Sequence, residues 1–151
     1  FRATAHFSSH IRFDFRLVGA TLFRINFRLF GLLPLMKQYP CGQALGWQFE
    51  IEGKTILFFG SAGSTREEFE RLKQTPADIL MIPLQGRTDI CSIGLEYVRQ
   101  LKPAVVIPHH FDDCSPPISE TVDIRPFLNQ MKKDFPGIRV AVPQINRPIE
   151  L

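Results

Sequence analysis

Residues 105–114 read Val-Val-Ile-Pro-His-His-Phe-Asp-Asp-Cys, an apolar run that leaves through a proline into two histidines and two aspartates. Imidazole and carboxylate in one loop suit zinc, manganese or iron. Neighbouring side chains on an extended chain project to opposite sides, so only one of His109 and His110 enters a given site. A solvated loop with one histidine bonded to backbone accounts for the same residues. A second candidate is His6-Phe7-Ser8-Ser9-His10. On a helix the two histidines would share a face, but Thr4, Phe7 and the serines favour a strand running into a loop. One histidine then suffices as a ligand, and His6 packs in the core. The third is Gly-Ser-Ala-Gly-Ser-Thr at 60–65. Small residues ahead of a helix can hold an anion on backbone amides. This makes Ser61 and Gly63, with Arg87 from a later loop, candidates for substrate binding; a tight strand-to-helix turn explains the run equally. It lacks the lysine of a P-loop and the spacing of a dinucleotide fingerprint. Ser61 with His110 and Asp112 or Asp113 would make a serine nucleophile, but GxSxG is absent and the histidine does not come last.

The elements that would position these residues alternate. Residues 45–51 and 54–60 flank Glu52-Gly53, a two-residue hairpin turn. A helix is expected over 64–74, with Ser64 as N-cap and Glu67 closing a capping box. Residues 78–83 form a short buried strand. Ile90, Ile93, Leu95, Val98 and Leu101 give 89–101 an amphipathic helical period. A strand over 104–107 ends at Pro108, a last helix covers about 123–134, and a strand follows at 138–142. This order favours an α/β or α+β sheet with helices on one face. Loops at the carboxyl ends of such strands make sites, which selects Gly60–Ser64, Pro83–Thr88 and Pro108–Cys114.

The 151 residues make one domain or part of one, with 44% apolar and 22% charged residues. That composition excludes a disordered tail, a collagen-like repeat and a disulfide miniprotein. A net charge of +3 gives no argument for nucleic acid. Cys41, Cys91 and Cys114 are odd in number and form no CxxC pair, which points to reduced thiols in a cytoplasmic protein. The chain starts at Phe1 inside a strand-like run and reads as cut at its front. Between Asp14 and Glu50 there is no acidic residue, while Arg16, Arg24, Arg28 and Lys37 all fall there. Segment 15–36 is apolar with arginines interleaved, too interrupted to span a bilayer. It reads as an insertion packed over the domain, a lid over an apolar substrate pocket, or a patch touching an anionic membrane surface.

Taken together, these residues resemble the C-terminal half of the metallo-β-lactamase superfamily, in its branch of lactonase-like and predicted metal-dependent hydrolases. The similarity runs from about Phe1 to Asp113 and lies in the succession of a strand with histidines near its end, GKTILFFG, PADILMIPLQGR and LKPAVVIPHHFDD. It implies an αββα sandwich of the α+β class, of which this chain covers roughly the C-terminal βα half. It implies that His110 is the last metal histidine, and that the earlier strand-end histidine is His10, with His6 and Asp112 as fallbacks. Two departures accompany it. The family's HxHxDH motif is not in the chain and would sit upstream of Phe1. The turn expected to carry a bridging aspartate reads Gly60-Ser61-Ala62-Gly63, with Ala62 in the expected place.

The resemblance further implies a divalent cofactor, zinc first, with manganese or iron as alternatives. Such a metal acidifies water and polarises the scissile carbonyl or phosphoryl oxygen of an ester, lactone or phosphodiester, a small-molecule substrate. Two histidines are fewer than the three or four protein ligands of a tight zinc site. Residues 1–151 alone are therefore expected to hold an incomplete site, with His10 and His110 on one cleft and His109 facing away. The alternative is a degenerate, non-catalytic module of the same fold that binds a partner or an anionic membrane surface, motivated by Ala62 and by segment 15–36.

Overall fold

A computed structural model of the chain describes residues 1–12, 14–17, 42–113 and 119–150, with positions 19, 34 and 38 besides. Its described strands form one mixed sheet in chain order: β1 (Arg2–Phe7), β2 (Leu45–Ile51), β3 (Lys54–Phe59), β4 (Ile79–Pro83), β5 (Val105–His109) and β6 (Arg139–Val140). The first three are antiparallel and the last four run parallel. Glu52 and Gly53 both take positive φ, 51° and 76°, the type I′ geometry whose twist matches the flanking strands.

Each parallel step is made by a helix: α1 (Arg66–Leu72), α2 (Ile90–Leu101) and α3 (Arg125–Asp134). The three crossovers advance in the same direction across the sheet, and such connections share one hand, so all three helices fall on one face. There Leu57, Phe59, Leu80, Ile82 and Val106 of the sheet pack with Leu72, Tyr97, Val98, Phe127 and Met131 of the helices. The opposite face is also apolar. Ile79, Ile107 and Ala141 cluster with Ile56, Met81 and Val105, and Trp47, cross-strand from Phe58, stays 37% exposed. No helix among the described residues is long and apolar enough to cross a membrane.

Several boundaries differ from expectation for identifiable reasons. The cap of α1 is Thr65, not Ser64: its hydroxyl accepts from the Glu68 amide, whereas Ser64 sits at φ 54° with its amide donated to the Tyr97 hydroxyl. Strand β5 runs through Pro108 to His109. In this parallel ladder Val106 turns its carbonyl to β6, so Pro108, two residues on, turns its missing N–H to the same side. There β6 has already ended, pairing only with Val105 and Val106. The last helix starts at Arg125, after Asp123 has folded back on the Arg125 amide and guanidinium. Segment 15–36 lies mostly outside the described residues.

Candidate functional site

The carboxyl ends of β3, β4 and β5, together with the loop after β1, enclose a cleft of about 680 Å³. His10 and Ile11 enter it from the β1 loop, Ser61 from the turn after β3, Gln85 and Arg87 from the β4–α2 loop, and His110 from the end of β5. The two histidines selected from the sequence, a hundred positions apart in the chain, therefore line one cavity. His110 takes a left-handed φ of 52°, which turns it out of the strand that His109 ends. His109 remains on the opposite face of the sheet, stacked on Phe58 with ring centroids 5.1 Å apart. Burial pushes its pKa down, and the neighbouring His110 acts in the same direction. Its Nε2 is buried without a hydrogen-bond partner among the described residues.

The β1 loop is held by a buried polar cluster. Glu68, on α1 and 1% exposed, accepts from the Ser8 hydroxyl at 2.9 Å, the Ser9 amide at 3.2 Å and the Tyr97 hydroxyl at 2.8 Å. Burial, and after it the charge of Glu68, pushes the Tyr97 phenol well above its ordinary range, so it stays a donor. Next along the loop, the Ile11 amide donates to Ser61 Oγ at 2.9 Å. This fixes the Ser61 oxygen, and its own proton has no acceptor among the described residues. The hydroxyl thus takes an amide and no imidazole, which counts against its service as a nucleophile. Ala62 is fully buried in the core, so this turn lines the cleft with Gly60 and Ser61 and not with Ala62.

Arg87 is oriented from two sides. Its guanidinium makes paired bonds to Asp89 at 2.6 and 3.0 Å and a third to the Arg12 carbonyl at 3.2 Å. Asp14 latches the same loop, accepting from the Thr88 hydroxyl at 2.6 Å and the Thr88 amide at 2.8 Å. Gln85 donates to the carbonyls of Asp112 and Glu120 at 2.9 and 3.0 Å, bracing the chain that follows His110. The remaining expected residues lie elsewhere. His6 bonds to Gln48 in the sheet, Asp112 is absent from the cleft lining, and Gly63 lines a neighbouring cavity. Asp14, Gln85 and Glu68 escaped the sequence reading because their partners are distant in the chain. Among the described residues no three His, Cys, Asp or Glu side chains come together as a metal site. The imidazoles of His10 and His110 match a divalent ion as two ligands of a set, not as a whole one.

The sequence matches the family model of the β-lactamase superfamily domain over residues 33–110. Comparison with curated proteins gives no match. Two solved structures share the fold. A proposed Zn-dependent hydrolase of the metallo-β-lactamase superfamily from Thermotoga maritima aligns with a TM-score of 0.51 at 20% identity, over 69% of this chain and 60% of its own. The isothiocyanate hydrolase from Delia radicum gut bacteria aligns with a TM-score of 0.56 at 14% identity, over 99% of this chain and 54% of its own. The chain thus spans between half and two thirds of the length of these two structures, and at such identities the likeness carries the fold alone.

Proposed function

This chain belongs to the β-lactamase superfamily domain family, with the α+β architecture of the metallo-β-lactamase fold, and on that footing we propose that it forms part of a metal-dependent hydrolase acting on an ester, lactone or phosphodiester. The observation that carries this reading is the convergence of His10 and His110 on one cleft at the carboxyl ends of the strands. In this reading the two imidazoles hold a divalent ion, zinc before manganese or iron, with further ligands from outside the described residues. When bound, such an ion supplies Lewis acidity and lowers the pKa of water.

The chain's own residues bind and orient a small-molecule substrate. Ser61, its oxygen fixed by the Ile11 amide, offers its proton to a carbonyl or phosphoryl oxygen. Arg87, held in place by Asp89 and the Arg12 carbonyl, lines the same space with the two N–H donors those bonds leave over. Ile11, Leu17 and Val122 give the cleft an apolar wall. A second reading, a non-catalytic module of the same family, is favoured by Ala62 standing where the family resemblance calls for a carboxylate, and by the turn after β3 bringing Gly60 and Ser61 to the cleft without one. Assays of the purified, zinc-supplemented intact protein against a p-nitrophenyl ester, a γ-lactone and bis(p-nitrophenyl) phosphate separate the two. The hydrolase reading expects turnover of at least one, abolished by His110→Ala. No turnover of any, or turnover unchanged by that substitution, counts against it.

A further inference from the structure

A second cavity, of about 500 Å³, adjoins the cleft and shares His10 and Arg87 with it. The loop after β1, residues 42–44 and the turn before α1 complete its lining. Its charge is one-sided: Arg12 and Arg87 line it, and no aspartate or glutamate does. The two arginines differ in their engagement. Arg87 is held by Asp89, whereas the Arg12 guanidinium has no ion pair among the described residues. Glu68 is not part of this lining; its oxygens accept from Ser8, Ser9 and Tyr97.

The polar wall supplies donors. Ser9 Oγ and Thr65 Oγ1 lie 3.3 Å apart, and Thr65 Oγ1 also accepts the Glu68 amide. The two hydroxyls carry two protons and share one bond, so one proton is left for a ligand. A lining with two arginines, a spare hydroxyl proton and no carboxylate matches an oxyanion in charge and in hydrogen-bonding character. We propose that this cavity is an oxyanion-binding site for a phosphate or carboxylate group, with Arg12 as its principal cation and the Ser9–Thr65 hydroxyl pair supplying one donor. It stands independently of the hydrolase reading. Because His10 and Arg87 wall both spaces, an anion held here lies beside the cleft, and an acidic arm of a cleft ligand reaches it.

Amide chemical shifts of Ser9, Gly63, Ser64 and Thr65 in the intact protein, titrated at fixed ionic strength with inorganic phosphate and separately with acetate, test this. The expected result is a saturable shift confined to these residues with at least one probe. Arg12→Gln should weaken it roughly ten- to a hundredfold, the usual weight of a charge-assisted bond, while Lys133→Gln on α3 leaves it unchanged. Displacement of the bound ion by glycerol phosphate would assign the site to a ligand's anionic arm; its retention would assign it to the free ion. Arg12 is exposed, so its substitution should leave the thermal midpoint unmoved. Absence of a saturable shift with both probes, or equal affinity in Arg12→Gln, overturns the proposal.

Discussion

Glu68, almost wholly buried, holds three donors, two of them on the loop that carries His10. Ser8 and Ser9, two of its partners, immediately precede that histidine. Glu68→Ala strands the Tyr97 hydroxyl and the Ser9 amide, and should cost about 3 kcal/mol or more, read by urea unfolding. Glu68→Gln keeps one acceptor and should cost less. Asp14 gives a second test. Hydrogen bonds from the Thr88 hydroxyl, then from the Leu17 and Thr88 amides, lower its carboxyl from the ordinary 3.8 to about 2. A carboxyl depressed in the folded state adds stability above its unfolded value, and that contribution is lost as the pH falls through about 2. In Thr88→Ala, carboxyl NMR titration should show the Asp14 value moving up towards 3.8. Neither role was legible in the sequence. Glu68 meets Ser8 across 60 positions and Asp14 meets Thr88 across 74, and no local pattern encodes such distances.

Strands and helices were legible wherever their signal was local. The Glu52-Gly53 turn, the buried β4 run and the period of α2 each follow from a few neighbouring residues. The start of α1 shows the limit. Ser64 with Glu67 and Thr65 with Glu68 both satisfy the capping-box spacing, and only the distant Tyr97, which takes the Ser64 amide, selects Thr65. Pro108 misled for a similar reason: its tolerance depends on how short the neighbouring β6 is. The turn ahead of α1 is set by Gly63, because a Cβ there would lie 2.3 Å from the Ser9 carbonyl oxygen. Gly63→Ala should therefore destabilise by about 1–3 kcal/mol in thermal unfolding, as overpacking does. At Gly60 an added methyl meets nothing. Gly60→Ala should change stability by less than about 0.5 kcal/mol.

At the scale of the molecule, β1 and the four parallel strands run in one direction, and the cleft loops leave from the carboxyl ends of β1, β3, β4 and β5 at one edge. The strand pattern made the convergence of the loops legible and showed that only one of His109 and His110 enters the cleft; the family resemblance selected His110, which lines it while His109 lies against the other face. The second cavity was not legible, since its wall joins residues near positions 10, 43, 64 and 87. In the proposed function His10 and His110 hold one metal ion in the cleft, while His6, bonded to Gln48 in the sheet, does not. Metal content per protein, measured by mass spectrometry on the purified intact protein and its single alanine variants, tests this most directly. The expected result is a stoichiometric divalent metal in the parent protein and in His6→Ala, and a marked loss in both His10→Ala and His110→Ala. A parent protein without metal after zinc loading, or content unchanged by His10→Ala and His110→Ala, would contradict it.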